Sequence, residues 1–138
     1  MPFPHHIRRH EFTYRIKKEW SQLYWFNFGV PSSGQRTFAE QHPALIISNP
    51  SITLQGTVLI IPVTGAEHRR PGYEFHIEIT KSECPELDKD SVAKVDQIYC
   101  VEVREMPDQY FIGKLKLDTM RRIYAKLLKA LDFDKFLK

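Results

Sequence analysis

The chain has 138 residues, enough for one domain with or without an arm. Its residues are 42% hydrophobic and 27% charged, too apolar for a disordered chain, and no apolar run approaches the ~20 residues of a membrane helix. The net charge of +3 lies wholly in residues 1–22, where Arg8, Arg9, Arg15, Lys17 and Lys18 outweigh Glu11 and Glu19; the remaining residues carry 15 charges of each sign.

This asymmetry divides the chain into a basic N-terminal arm, residues 1–21, and a domain, residues 22–138. Such an arm either contacts phosphate, releasing counterions, or is a solvated terminus. His5, His6 and His10 lie in it without Cys or acidic residues at ligand-like spacing, so no metal site is expected there. No apolar segment of signal-peptide type follows Met1–His10. Cys84 and Cys100 cannot build a disulfide scaffold or a four-ligand zinc site. The expectation is a reducing, cytoplasmic protein with two incidental thiols.

In chain order, Leu23–Phe28 (LYWFNF) is aromatic-rich and predicts a strand. A loop from Gly29 runs to about His42, because Pro43 biases its predecessor away from helix. Ala44–Ser48 predicts a short buried strand, and Asn49-Pro50-Ser51 a turn. Thr57–Val63 predicts another strand, with Pro62 at an edge or bulge. Thr64–Gly72 is a polar, basic loop. Tyr73, Phe75, Ile77 and Ile79 alternate with polar residues, the period of a half-buried strand. After a polar loop over Lys81–Asp90, Ser91–Val103 predicts strand with a break near Asp96-Gln97, and Phe111–Leu117 a shorter one. Asp118 is placed to cap a helix whose apolar stripe is Met120, Ile123, Tyr124, Leu127, Leu128 and Leu131. Arg121, Arg122, Lys126 and Lys129 lie off the stripe and predict a solvated face. About six or seven strands followed by a helix predict a mainly β, α+β fold: a small barrel or strongly bent sheet capped by a C-terminal amphipathic helix.

Four stretches in order carry a resemblance: LYWFNFG (Leu23–Gly29), HPALIISN (His42–Asn49), TVLIIPVTG (Thr57–Gly65) and DSVAKVDQI (Asp90–Ile98), with IGKL (Ile112–Leu115) before the helix. This set resembles the MazF/PemK family of toxin endoribonucleases from bacterial toxin–antitoxin pairs, over about residues 22–132. The resemblance implies an SH3-like barrel, usually a homodimer. It further implies cleavage of single-stranded RNA without metal or cofactor, and silencing by the acidic tail of a cognate antitoxin.

Metal-free RNA cleavage takes its nucleophile from the substrate's 2′-hydroxyl. The protein supplies proton transfer and donors for the charged phosphorane. The family's catalytic Arg precedes the Pro of the second strand; here that position is His42. An imidazole moves protons but anchors charge less firmly than a guanidinium; alternatively His42 is only a pre-proline loop residue. Thr64 matches the family Thr whose hydroxyl can donate to a phosphate oxygen. Where members have an R-T-[IV]-D run, this chain has Tyr99-Cys100-Val101-Glu102, so the second Arg is absent and the acid survives as Glu102. The expected catalytic set is therefore His42, Thr64 and Glu102. The expected RNA contacts are Gln35, Arg36, Asn49, Arg69, Arg70, Gln97 and Tyr99. Tyr99 either stacks on a base or is a plain strand aromatic, and Arg69-Arg70 either replaces the lost charge or is an exposed polar loop.

Two functional classes remain: a ribonuclease toxin with a modified centre, or the same barrel binding antitoxin or nucleic acid with little cleavage. A hydrolase using His42 or His76 with a carboxylate lacks a nucleophile motif such as G-x-S-x-G.

Overall fold

A computed structural model of the protein describes residues 18–30 and 40–136. The arm up to Lys17, and Gln35 and Arg36 in the first long loop, lie outside the described residues.

The strands are β1 (Gln22–Asn27), β2 (Gln41–Ile46), β3 (Thr57–Gly65), β4 (His76–Ile79), β5 (Ser91–Lys94), β6 (Tyr99–Glu102) and β7 (Phe111–Lys114). Among the described residues the α-helices are α1 (Pro50–Thr53) and α2 (Leu117–Ala130). All pairings are antiparallel, in the order β4-β5-β3-β2-β1-β7. β6 joins the same edge of β3 as β5, taking its first half (Thr57↔Glu102 to Ile60↔Tyr99), while β5 takes its end (Val63↔Ala93 to Gly65↔Ser91).

This division explains the predicted break at Asp96-Gln97: the chain leaves β3 after Lys94 and returns at Tyr99. It also explains Pro62. β3 is a central strand, not an edge, but Pro62 falls between the last β6 partner and the first β5 partner, where one ladder is interrupted.

β3 reads as a near-continuous apolar run because it serves two cores. On one face, Ile61 and Val63 join Leu23, Leu45, Ala93 and the helix residues Met120, Ile123 and Leu127. On the other, Val58 and Ile60 join Tyr24, Ala44, Ile46 and Met106, with Phe26, Phe28, Tyr99 and Val101 packed against them. The period-two alternation of each strand sorts its side chains between these cores.

Local expectations are corrected in four places. Asn49-Pro50-Ser51 opens α1: Asn49 Oδ1 accepts the Ser51 N–H at 2.9 Å, with Pro50 in the first turn. Only His76–Ile79 of the predicted 73–79 strand forms, because Gly72 at φ +76° and a Tyr73 N–H bond to the Arg70 carbonyl turn the chain first. Asp118 is not the cap of α2. Lys116 holds that position, and Asp118 lies in the first turn, where a carboxylate still favours the helix dipole. The stripe buries Met120, Ile123 and Leu127, half-buries Tyr124, and leaves Leu128 and Leu131 exposed.

The basic face of α2 is paired rather than merely solvated. Lys126 and Lys129 reach Glu74, and Arg122 pairs with Glu83 and donates to the Glu78 carbonyl. Glu83 joins loop and helix, accepting the Thr80 N–H at 3.3 Å and the Thr119 hydroxyl at 2.6 Å. Burial raises its carboxyl, but the Thr119 and Thr80 hydrogen bonds and the Arg122 charge outweigh that and hold it below the usual range. A depressed folded value gives stability that is complete above the unfolded carboxyl range and is lost as pH falls through the folded value. Wild type is therefore expected to exceed Glu83→Gln by about 1–2 kcal/mol at neutral pH in denaturant unfolding, with the gap closing on acidification. A gap that stays constant into the acid range would contradict the role given to Glu83.

Candidate functional site

His42 sits near the start of β2, half-buried and opposite Phe26 of β1. The β2–β3 ladder runs Ile46↔Ile60, Leu45↔Ile61, Ala44↔Pro62. Continuing that register by two residues puts His42 level with Thr64, on the same face, across a stretch where β2 and β3 are no longer laddered. Thr64 is 4% exposed and stands opposite Val92 of β5, which stands opposite Glu78 of β4. Phe26 and His42 form one laddered pair and Thr64, Val92 and Glu78 another row, with ~4.8 Å between laddered neighbours, and the continued register sets the two level.

Aromatic rings extend this face. Phe26 and Phe28 meet edge-on at 4.9 Å between centroids, and Phe28 and Tyr99 at 5.2 Å. The Tyr99 hydroxyl donates to Gln97 Oε1 at 3.3 Å. Gln97 and Tyr99 therefore connect to the strand pair that holds His42.

The loop after Thr64 is held by its own side chains. Arg69 Nη1 lies 3.1 Å from Glu78 Oε2, and the Arg70 guanidinium lies 5.1 Å from the Tyr73 ring centroid. The Arg70 N–H donates to His76 Nδ1 at 3.4 Å, and the Tyr73 hydroxyl donates to Asp96 at 2.6 Å. That hydrogen bond pushes the Tyr73 phenol up. Burial, then the Lys94 charge, push the His76 imidazole down. Arg69, His76 and Glu78 share a groove of about 350 Å³ with Arg122 and Lys126 of α2. The two helix cations were not expected at any site; their i, i+4 spacing was the available signal, and only the approach of α2 to β4 gives it meaning.

Two expected residues lie elsewhere. Glu102 pairs with Thr57, at the opposite end of β3 from Thr64, seven residues or roughly 23 Å along the strand. Its carboxylate pairs with Arg104 and caps the following turn reciprocally with Glu105. Asn49 is likewise beyond the far end of β2 from His42, and its side-chain oxygen caps α1. Within one chain, the continued register sets His42 and Thr64 on one face, whereas Glu102 and Asn49 lie at the other ends of their strands.

Among the described residues, no three His, Cys, Asp or Glu are placed to hold a metal ion, and no helix is long and apolar enough to cross a membrane. Cys84 is buried, with burial pushing its thiol up, and Cys100 is exposed.

The fold is shared with solved toxins. An endoribonuclease solved in complex with its cognate antitoxin, from a mycobacterial species, is 21% identical over 83% of this chain and 95% of its own, with a TM-score of 0.64. MazF from Deinococcus radiodurans is 19% identical over 85% and 98%, with a TM-score of 0.67. The Mycobacterium tuberculosis toxin MazF-mt6 is 16% identical over 80% and 96%, with a TM-score of 0.61. At these identities the likeness is one of fold: a curled antiparallel sheet with a C-terminal helix. A comparison with curated proteins finds no match. A family profile described as PemK-like, MazF-like toxin of type II toxin–antitoxin system matches residues 20–131, and the chain belongs to that family.

Proposed function

We propose that the chain is the toxin of a type II pair and acts as an endoribonuclease on single-stranded RNA, without metal. What carries this reading is the face that His42 shares with Thr64 by strand alternation, in a register continued two residues past Ala44↔Pro62, beside the Phe26–Phe28–Tyr99 aromatics. The RNA 2′-oxygen attacks the adjacent phosphorus, and the bond from phosphorus to the 5′-oxygen breaks. The products are a 2′,3′-cyclic phosphate and a 5′-hydroxyl. His42 takes the 2′-hydroxyl proton and returns it toward the leaving oxygen, while the Thr64 hydroxyl donates to a phosphate oxygen. Arg69 and Arg70, with Arg36 and Gln35 in the first loop, supply charge and contacts to the backbone; Gln97 and Tyr99 meet the bases.

The inhibitory partner is a cognate antitoxin with an acidic tail, and the working form is a cytoplasmic homodimer. Support for the partner comes from the mycobacterial endoribonuclease, which was solved with its own antitoxin. A second reading, a barrel that binds antitoxin or RNA with little cleavage, is favoured by the position of Glu102 on the far end of β3. Incubating the full chain with single-stranded RNA in excess chelator separates the two. The first reading expects cut product. Bound but intact RNA at high protein concentration would replace it with the second.

A further inference from the structure

Resting on the reading of the chain as an enzyme that holds RNA, we infer that Lys94 is a further residue of that site. Its ammonium, together with the Thr64 hydroxyl, holds the RNA phosphate at the cut.

The strand ladders set the two side chains on one face. Thr64 pairs with Val92 of β5, and Lys94 lies two residues further along β5, so alternation turns it the same way as Val92 and Thr64. The spacings of ~4.8 Å between strands and ~6.7 Å along two residues put their Cα atoms about 8 Å apart. The ammonium ends a flexible four-carbon stem, so a phosphate fits between it and the hydroxyl.

An aromatic ring lies on the same face and beside the same edge of β3. Tyr99 pairs with Ile60, and Ile60, Pro62 and Thr64 alternate onto one face. Lys94 falls one residue past the Val63↔Ala93 pair, so Lys94 and Tyr99 stand ~7 Å apart along β3. The Gln97 N–H donates to the Lys94 carbonyl at 3.2 Å, closing the turn that carries the chain from β5 to β6. Lys94, Gln97 and Tyr99 are all half-buried. A nucleotide supplies a phosphate and a flat base at such a spacing, whereas an acidic peptide supplies only the anion.

The charge comes from the same cluster. Lys94 pairs in register with His76 of β4. Behind burial, the charges of Lys94 and Arg70 both push the His76 imidazole down, and that of Asp96 opposes them. The Asp96 carboxylate also accepts the Tyr73 hydroxyl at 2.6 Å. Arg70 and Lys94 together outweigh Asp96. Burial holds the Lys94 ammonium below the usual lysine range, with Asp96 again opposing. An anion brought to a partly desolvated cation gains more than one brought to a cation in open water. Thr64 and Tyr99 are neutral, and a phosphorane needs a positive neighbour, which Lys94 supplies.

The test uses the full chain in excess chelator. Single-turnover cleavage of a single-stranded RNA, and anisotropy titrations of its 2′-O-methyl counterpart across salt concentrations, compare wild type with Lys94→Met and Lys94→Arg. Lys94→Met is expected to cut about 10²–10³-fold more slowly, the loss of one donor to the charged transition state. One phosphate contact fewer should reduce the slope of log affinity against log salt by about 0.7. Lys94→Arg keeps the charge and is expected to restore the slope fully and the rate in part. A neutral methylphosphonate, moved along the binding strand one linkage at a time, checks this without any variant. At one position it should give wild type the slope of Lys94→Met, and there the variant should lose nothing further.

Unchanged rate and slope in Lys94→Met overturn the assignment, and cleavage by wild type then leaves the nuclease reading standing. A wild type that binds without cutting, with a slope that depends on Lys94, defeats the nuclease reading and keeps the phosphate contact. Absence of RNA binding by wild type overturns both. Weaker binding by Lys94→Met, with wild type indifferent to the methylphosphonate at every position, would show an effect through folding and overturn the contact. So would an effect confined to antitoxin affinity, which would assign Lys94 to an acidic peptide.

Discussion

Replacing His42 by alanine is expected to lower single-turnover RNA cleavage by about 10²–10⁴-fold, the usual contribution of one positioned acid–base group. RNA affinity should fall much less, because backbone contacts and stacking are spread over other residues. The split follows from chemistry. On the proposed reading the substrate supplies the nucleophile, so the protein's main task is to move one proton and stabilise the phosphorane. His42 is the titratable side chain that the β2–β3 register, continued two residues past Ala44↔Pro62, sets level with Thr64. The measurement is rate and affinity in chelator for both proteins, with melting profiles to show that the variant is folded. Equal cleavage by the two would remove His42 from the mechanism.

The second large effect concerns stability. Lys18 is 6% exposed, and its ammonium lies 2.8 Å from Asp108 and 4.9 Å from the Tyr24 ring centroid. Its carbonyl accepts the Thr53 hydroxyl at 3.1 Å. The other Asp108 oxygen is buried and has no hydrogen-bond partner among the described residues. Burial, reinforced by the Asp108 charge, holds the Tyr24 phenol protonated far above its usual range, so Tyr24 cannot share that charge. Lys18→Met would strand a carboxylate in a largely closed site and is expected to cost about 3 kcal/mol in urea unfolding. Replacing both partners, Lys18→Met with Asp108→Leu, should recover most of that loss, since an apolar pair of similar volume removes the stranded charge. A double variant as unstable as the single one would show that the loss comes from packing and not from the ion pair.

How far the sequence reveals this protein depends on which interactions decide each feature. Strand positions were legible because alternation and aromatic content report local burial, and the break at Asp96-Gln97 was visible in polarity alone. The role of Pro62 was not, because it depends on two other strands sharing one edge of β3. The stripe of α2 identified its buried face, but periodicity does not report how far along the helix the packing extends, and Leu128 and Leu131 are exposed. For the candidate site, the family motifs pointed to His42, Thr64 and Glu102. They gave no sign that Glu102 stands at the other end of β3, because antiparallel register decides that and no local pattern encodes it. The groove uniting Arg69 with Arg122 and Lys126 depends on helix docking against β4 and was similarly invisible.

Substituting a 2′-deoxy sugar at the cleaved position of a single-stranded RNA tests the chemistry most directly, with cleavage followed in chelator and the ends of the products identified by mass. The all-ribose strand should give a 2′,3′-cyclic phosphate and a 5′-hydroxyl, and the single deoxy change should abolish the cut while leaving binding intact. Cleavage of the deoxy-substituted strand at the same position and rate would mean that the RNA does not supply the nucleophile.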